Sequence, residues 1–229
     1  MLEAPPTMPR ADIEFKTSDG VTLRGWFFTP PQASASKLPC LVFGHGLSCI
    51  KEMALSDIAN KLVADLPLTC LVFDYRGFGS SDTALGAPRC EIDTAQQCAD
   101  LRDAITYAQM RDDVDKDKIG LWGYSLSGAH VVYLAAVDRR VKAIIAVGAG
   151  LSGTEICRRL APPHAFTGFL SAFEADRMSR AAGEPGMTVP VVSDQPSAPS
   201  TLPSPESYAF FSQWESNGST WRNELTLRR

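Results

Sequence analysis

The sequence predicts an α/β fold in which a mostly parallel sheet carries helices on both faces. Wholly apolar runs of strand length, such as Cys40–Phe43 and Leu68–Phe73, lack the polar alternation of a half-exposed strand. Segments with helical spacing of apolar residues separate these runs. The chain has 229 residues and a hydrophobic content of 45%, which is enough for one domain with a substantial core.

The chain begins with a predicted hairpin. From Ile13 to Phe28 polar and apolar residues alternate about a turn at Ser18–Gly20, which predicts two antiparallel strands. The strand Cys40–Phe43 then runs into a polar, glycine-containing loop at Gly44–Ser48. Apolar residues at helical spacing predict a helix over Lys51–Asp65. Helix and strand alternate from this point onward.

Five further elements continue the alternation to residue 147. They are the strand Leu68–Phe73, a helix at Asp93–Arg111, the strand Ile119–Gly123, a helix at Leu126–Val137 and the strand Val141–Val147. Fully apolar strands separated by helices predict parallel pairing, because parallel sheets are covered by helices on both faces. The last of these strands is the sixth of the chain.

The character of the sequence changes after Gly150. Leu151–Gly183 is helical in pattern but irregular, and Pro185–Pro205 is rich in proline and serine. No convincing apolar strand follows the sixth one. We therefore expect residues 1–150 to form the core and residues 151–229 to form a cap or lid after the sixth strand.

Composition argues against several classes of function. The net charge of −4, without a dense run of lysine or arginine, does not suit nucleic acid or an anionic membrane surface. Met1–Asp12 holds prolines and charges where a signal peptide would be apolar, and no apolar run reaches bilayer length. We therefore expect an intracellular, cytoplasmic protein without a membrane span. Six scattered cysteines and three isolated histidines predict reduced structural thiols, no metal site and no cofactor.

The segment Ile119–His130 carries the strongest chemical signal. It places Ser125 between an apolar strand and the start of a helix, which is the position of a nucleophile elbow. Such a turn needs small residues on either side of the serine, and Gly123 and Ser127 meet that need, with Gly128 one place later. The pattern is GxSxS followed by glycine, a departure from GxSxG. The alternative interpretation of this residue is a helix-capping serine.

An acyl-transfer site also needs hydrogen-bond donors for the oxyanion that develops on the substrate. We expect one from the backbone N–H of Leu126, directly after the nucleophile. The other is expected from the N–H of Leu47, in the loop after the first buried strand, where His45 and Gly46 give the expected form. The alternative is that this loop is a glycine-bearing turn and nothing more.

Several segments together resemble the α/β-hydrolase superfamily. They are His45-Gly46 with Lys51-Glu52, the run Asp74–Ser81 and the elbow Trp122–Gly128. Lys51-Glu52 and the later Thr220–Arg228 resemble a fungal branch of dienelactone-hydrolase-like proteins and polyketide transferases, which act in secondary-metabolite and host-selective-toxin pathways. The resemblance implies the α/β-hydrolase fold and a small-molecule acyl substrate. An ester, thioester or polyketide acyl group would form an acyl-enzyme on Ser125 and pass to water or an alcohol.

The resemblance also implies parts that we do not expect in this chain. In the superfamily the acid and the histidine of the catalytic triad follow the serine, each after one of the last strands. Both lie beyond the segment that Trp221–Glu224 resembles, and the chain ends at Arg229, so we expect the last strands and both residues to be missing. The functional hypotheses are therefore a serine hydrolase or acyltransferase in shortened form, and an impaired remnant with a binding role or none.

None of the chain's histidines is a strong substitute for the missing base. His45 precedes the nucleophile, and His130 lies more than one turn along the following helix, which should turn it away from Ser125. His164 remains a candidate in the predicted cap, although a flexible segment seldom holds hydrogen-bonding geometry to a serine.

Three further expectations concern the surroundings of the site and the protein as a whole. Asp74 and Asp82 should fix the loop after their strand, with Arg76 as a nearby ionic partner. An oligomer is compatible with the sequence. A longer form that carried a C-terminal signal would be peroxisomal.

Overall fold

A computed structural model describes residues 8–31, 36–160, 163–195, 198–216 and 218–227 of the chain. These residues divide into two units. The first consists of the described residues up to Gly86 together with Thr94–Gly150. The second consists of Ala87–Asp93 together with the described residues from Leu151 onward.

A six-stranded sheet forms the centre of the first unit. Its strands are β1 (Arg10–Lys16), β2 (Thr22–Phe28), β3 (Leu38–Gly44), β4 (Thr69–Phe73), β5 (Val114–Tyr124) and β6 (Val141–Val147). The spatial order is β1-β2-β4-β3-β5-β6. The pairs β1–β2 and β2–β4 are antiparallel, whereas the other pairs are parallel, so the predicted hairpin and parallel sheet are confirmed. The loops after β3, β4 and β5 therefore meet at one edge of the sheet.

Three helices connect these strands. They are α1 (Leu55–Asp65), α2 (Thr94–Gln109) and α3 (Leu126–Val137). α3 and β6 have the predicted bounds, whereas the prediction that α1 begins at Lys51 is wrong by four residues. Residues 51–54 form turns, and Ala54 has a φ of 62°, which is incompatible with an α-helical residue.

Helices cover both faces of the sheet, as the sequence predicts. Val72 of β4 packs in one apolar cluster with Val63 of α1. The next residue, Phe73, points to the opposite face, where its ring contacts that of Phe15. The ring of Phe15 in turn stacks on that of Tyr107 in α2, with 4.9 Å between centroids. The core of the first unit therefore has two layers, one on each side of the sheet.

β6 is the outer strand on its side of the sheet, among the strands that the structure describes. Its residues Ile145 and Val147 are 44% and 40% exposed, and Tyr133 and Val137 of α3 are each 57% exposed. Strands of a parallel sheet are normally covered on both faces. This side of the first unit thus presents apolar side chains to solvent.

The second unit is mainly helical. It contains α4 (Gly153–Leu160), α5 (Pro163–Ala181), β7 (Thr188–Val189), α6 (Pro205–Ser216) and β8 (Leu225–Thr226). β7 and β8 pair antiparallel, and the ring of Phe211 stacks on that of Trp221 with 5.3 Å between centroids. The sequence predicts only a loop over Pro185–Pro205, because a two-residue strand leaves no periodic pattern. In the described ranges no helix has both the length and the apolar character needed to cross a membrane.

Candidate active site

Ser125 occupies the turn between the last residue of β5 and the first residue of α3. Its backbone N–H donates to the carbonyl of Val147 at 2.8 Å. Its carbonyl accepts hydrogen bonds from the N–H groups of Gly128 and Gly150, each at 3.0 Å. These bonds tie the turn to the end of β6, to the first turn of α3 and to the segment after β6.

The backbone of Ser125 is strained. Its φ of 54° and ψ of −110° lie in a region that residues with a side chain rarely occupy. The residue stands at the N-cap position of α3, but its hydroxyl makes no capping hydrogen bond, so capping does not account for it. The side chain is half-buried. Among the described residues, its hydroxyl has no hydrogen-bond partner.

Gly123 lets the strand and the helix approach each other at this turn. A Cβ atom on Gly123 would lie 2.1 Å from the carbonyl oxygen of Ser127 and 2.9 Å from the nitrogen of Gly128. Real side chains do not tolerate such distances, because both neighbouring atoms belong to the backbone. The close packing of β5 against α3 therefore requires glycine at this position, as the elbow pattern predicts.

The loop Gly44–Leu47, called the β3 loop below, lies against the proposed nucleophile. β3 and β5 are parallel neighbours, so the loops after them emerge side by side. A Cβ atom on Gly46 would lie 3.5 Å from the Cβ of Ser125 and 3.1 Å from Cδ1 of Tyr124. The structure thus brings together two segments that are almost 80 positions apart in the sequence.

Two backbone N–H groups near this contact have the character of free donors. Leu126 is the first residue of α3, and the first N–H groups of a helix have no acceptor within the helix. The N–H of Leu47 has no acceptor among the described residues. Both N–H groups belong to the segments that carry the predicted oxyanion donors.

The imidazole of His45, a residue of the β3 loop, is buried in the protein interior and has a structural role. It is only 1% exposed. Its Nε2 accepts a hydrogen bond from the N–H of Tyr75 at 3.3 Å, and its Nδ1 donates to the carbonyl of Gly46 at 3.0 Å. We assign the tautomer with a proton on Nδ1, because Nε2 must accept. Burial lowers the pKa of His45, which keeps the ring neutral.

Ser127 and Tyr75 join His45 in a buried group that we call the neutral cluster (His45, Tyr75 and Ser127). The hydroxyl of Ser127 donates to the carbonyl of His45 at 2.5 Å, and the Tyr75 hydroxyl lies 2.8 Å from the same serine oxygen. The sequence predicts Ser127 only as a small residue of the elbow, and it gives Tyr75 no role. The one signal for this contact is the departure from GxSxG.

A second group, the charged cluster (Lys51, Asp74 and Ser80), connects the loops after β3 and β4. The Nζ of Lys51 lies 2.7 Å from Oδ2 of Asp74 and 2.9 Å from Oγ of Ser80. The backbone N–H of Lys51 also donates to Oδ1 of Asp74 at 2.7 Å. Lys51 and Asp74 are 5% and 0% exposed, so this is a buried ion pair. Burial by itself would lower the pKa of Lys51, but the attraction of its ammonium group to the Asp74 carboxylate outweighs that effect and raises the pKa.

The expected pairing of Arg76 with Asp74 and Asp82 is wrong. The guanidinium of Arg76 lies 2.7 Å from Asp100 of α2 and 2.7 Å from Asp19. Asp82 instead pairs with Arg24 of β2 at 2.7 Å. Spacing along the chain suggested a local pair, whereas the partners in the folded protein come from β2, from α2 and from the turn between β1 and β2.

No described side chain supplies a base to Ser125. His130 is buried, and its Nε2 lies 2.9 Å from Oε1 of Gln97, so the ring contacts α2, a partner that the sequence does not predict. Burial lowers the pKa of His130 to about 4. The side chain of His164 lies outside the described residues. The structure therefore unites the β3 loop and the elbow, but none of the hydrogen bonds of the described histidines reaches the hydroxyl of Ser125.

Cys49 is a buried thiol that lies against the β3 loop. A Cβ atom on Gly46 would lie 3.5 Å from its sulfur. Burial raises the pKa of Cys49 to about 12, so the thiol stays protonated and is a poor nucleophile. Among the described residues, no group of histidine, cysteine and carboxylate side chains has the arrangement of a metal site. Ser125 is thus the strongest candidate nucleophile of this edge.

The sequence has relatives among fungal enzymes of polyketide metabolism. It is 39% identical over 196 residues to the polyketide transferase grgF of a Penicillium species, which covers 86% of this chain and 62% of that protein. It is 36% identical over 187 residues to a thiohydrolase of Eupenicillium brefeldianum, covering 82% of this chain and 56% of that protein. The chain thus spans roughly six tenths of the length of these relatives.

Solved structures agree with this relationship. The crystal structure of the α/β hydrolase GrgF from Penicillium sp. sh18 superposes with a TM-score of 0.76 at 34% identity, over 96% of this chain and 71% of that one. The structure of DcsB in complex with its substrate analogue gives a TM-score of 0.79 at 29% identity, with the same coverage. The α/β hydrolase fold family matches residues 39–226. By this match, and by the sheet and elbow described above, the chain belongs to the α/β hydrolase fold family.

Proposed function

We propose that the protein is a serine acyltransferase or hydrolase that acts on a polyketide acyl ester or thioester through an acyl-enzyme on Ser125. The observation that carries the proposal is the strained position of Ser125 at the strand-to-helix turn, with the β3 loop against it. Strain of this kind is concentrated at functional sites. The names of the relatives add the substrate class, since they include both polyketide transferases and thiohydrolases.

The proposed reaction has two halves. In the first, Oγ of Ser125 attacks the acyl carbonyl, its proton passes to a base of the imidazole class, and the bond to the thiol or alcohol leaving group breaks as the base protonates that group. In the second, water or an alcohol attacks the acyl-enzyme and gives its proton to the same base, and the bond between the acyl carbon and Oγ of Ser125 breaks as the base returns that proton to the serine. The N–H groups of Leu47 and Leu126 would stabilise the oxyanion in both halves.

The acceptor decides whether the outcome is transfer or hydrolysis. With an alcohol as acceptor the product is a new ester, and with water it is a free acid. Among fungal relatives both outcomes are represented by name, as polyketide transferase and as thiohydrolase. We place the reaction in fungal secondary metabolism on that basis, with toxin biosynthesis as the narrower hypothesis.

A second candidate function is ligand binding without turnover. It is favoured by one observation, that no described side chain supplies a base to Ser125. An elbow without a base retains its oxyanion donors, and these still bind an acyl carbonyl. The two candidates differ in whether the serine becomes covalently modified.

Covalent labelling of Ser125 separates the two candidates. The purified chain would be treated with a fluorophosphonate probe, and its Ser125→Ala and Ser171→Ala variants would be treated in parallel. Ser171 is an exposed serine of α5 whose loss should leave labelling unchanged. Labelling that disappears only in Ser125→Ala supports the enzyme. A folded chain that stays unlabelled, yet binds an N-acetylcysteamine polyketide thioester saturably, supports the binding protein.

Turnover would then identify the acceptor. The same thioester would be incubated with the unmodified wild-type chain, with and without a primary alcohol. An ester product that depends on the alcohol identifies an acyltransferase. Equal release of free acid under both conditions identifies a hydrolase.

A further inference from the structure

Ser127 stands where a strict GxSxG elbow carries glycine. We propose that its hydroxyl is a positioning group, which fixes the β3 loop relative to Ser125. The proposal rests on the proposed function of Ser125, and it adds a residue to that function. It explains why the elbow of this protein departs from glycine at a position whose neighbours leave almost no room.

The direction of the hydrogen bonds in the neutral cluster follows from their chemistry. The carbonyl of His45 can only accept, so the single hydroxyl proton of Ser127 must point at it, across 2.5 Å. The Tyr75 hydroxyl must then donate its proton to Oγ of Ser127, across 2.8 Å. The result is a chain of donors that runs from the loop after β4, through α3, to the β3 loop.

Because these hydrogen bonds are buried, water cannot easily take the place of a group that is removed. Ser127 and Tyr75 are fully buried, and His45 is 1% exposed. A Cβ atom on Gly44 would lie 2.4 Å from the Tyr75 hydroxyl and 2.9 Å from Oγ of Ser127, so glycine at the end of β3 makes the space for the contact. Loss of the serine hydroxyl would leave a buried tyrosine donor and a buried carbonyl without partners.

The bond lies close to both proposed reacting groups. His45 precedes Leu47 by two residues, and Ser127 follows Ser125 by two residues. The hydrogen bond between Ser127 and His45 therefore links the segment of the proposed donor directly to the first turn of α3. On the other side of Leu47, the N–H of Lys51 is held by Asp74. The chain is thus held by hydrogen bonds both before and after the proposed donor, at His45 and at Lys51.

The competing interpretation is that Ser127 only satisfies buried polar groups. Two variants separate the interpretations. Ser127→Ala removes the hydroxyl and leaves Tyr75 without a partner. The double variant Ser127→Ala/Tyr75→Phe removes the stranded hydroxyl as well, so part of the lost stability should return. The link to the β3 loop is absent from both.

Thr69 supplies a matched control. Its Oγ1 donates to the carbonyl of Pro39 at 3.1 Å, and Thr69 is fully buried. This bond is also a hydroxyl-to-carbonyl link to β3, but it lies near the start of the strand, at the opposite edge from the elbow. Thr69→Val should therefore lower the melting temperature, by about 3 °C, without changing the reactivity of Ser125.

The experiment measures the rate constant of fluorophosphonate labelling and the melting temperature of the full chain. We expect labelling to slow by about 10- to 100-fold in Ser127→Ala, because a small displacement of reacting groups or oxyanion donors has effects of this size. In the double variant the melting temperature should rise again while labelling stays slow. Recovery of labelling together with the melting temperature would show that the serine is merely structural.

Amide hydrogen exchange over residues 44–50 tests the link without any reaction. Exchange of this segment should accelerate about tenfold in Ser127→Ala and in the double variant, and stay unchanged in Thr69→Val. Unchanged exchange in all three overturns the proposal. A wild-type chain that never labels would defeat the proposed function alone, and hydrogen exchange would still decide whether Ser127 fixes the loop.

Discussion

The charged cluster and the neutral cluster each contain one of two consecutive residues, Asp74 and Tyr75, but they are held together by different interactions. Asp74 forms a buried ion pair with Lys51, whereas Tyr75 joins a group of neutral hydrogen bonds through Ser127. Both clusters hold the segment between His45 and Lys51 from the side of β4. A buried charge that loses its partner is far more costly than a buried hydroxyl that loses one. The ion pair is therefore the contact whose loss should cost the most stability, whereas the neutral cluster is the one that reaches the first turn of α3.

The largest expected effect comes from the charged cluster. Lys51→Met leaves the Asp74 carboxylate buried without its ion partner, so we expect the free energy of unfolding to fall by about 3–5 kcal/mol. Lys61→Met is the matched control, because Lys61 pairs with Asp65 at 2.7 Å while both side chains are more than half exposed. Its effect should stay within about 0.5 kcal/mol. Urea unfolding measures both, and equal losses would remove the distinction between buried ions and surface ions.

The next largest effect concerns the approach of β5 to α3. Gly123→Ala places a methyl group against the backbone of Ser127, so we expect a loss of about 1–3 kcal/mol and displacement of the neutral cluster. Labelling of Ser125 should fall in the same variant. Gly168→Ala in α5 is the control, because Gly168 is exposed in a helix with open space around its Cβ position, and a small gain in stability is expected. Wild-type stability in Gly123→Ala would contradict the close packing described above.

Acid should destabilise the fold through its two buried histidines, His45 and His130. Burial holds the pKa of His130 at about 4 and lowers that of His45, so the unfolded chain takes up protons below pH 6.5 that the folded chain refuses. For His130 the free energy of unfolding should therefore fall between pH 6.5 and 4, by up to about 1.4 kcal/mol per pH unit, and the lowered pKa of His45 acts in the same direction. The raised pKa of Lys51 gives stability that is fully present in this window and is lost only at high pH.

Replacing His130 with a residue that does not ionise tests the origin of this acid sensitivity. His130→Gln should reduce the slope of unfolding free energy against pH by about one proton between pH 6.5 and 5. Urea unfolding at several pH values in that interval gives the slope directly. A slope identical to that of the wild type would exclude His130 as its source.

The smallest expected effect concerns the strain at the elbow. Glycine tolerates the φ of 54° and ψ of −110° that Ser125 adopts, whereas alanine does not. Ser125→Gly should therefore be more stable than Ser125→Ala by about 1 kcal/mol, although neither variant labels. Thermal unfolding of the two variants measures the difference. Equal stability would mean that the backbone of the elbow relaxes, and that its geometry is not held by the two clusters.

The elements of the first unit could be predicted from the sequence because their patterns are local. Apolar runs and helical spacing located β3, β4, α3 and β6 closely, and the elbow followed from a strand, a serine and a helix in immediate succession. The start of α1 could not be predicted this way. Its first turn is replaced by turns that bring Lys51 to Asp74, a contact 23 residues away.

The sequence by itself determined the α/β class, the order of strands and helices and the place of Ser125, since each depends on neighbours within about a dozen residues. Only the tertiary structure decided which polar groups meet. The hydroxyl of Ser127 reaches a carbonyl 82 positions away, and Arg76 binds Asp100 and Asp19 instead of Asp74. These contacts depend on the spatial order β4-β3-β5, which differs from the order along the chain. Hydrogen bonds act over about 3 Å in space, and no periodicity of the sequence specifies which distant residues come that close.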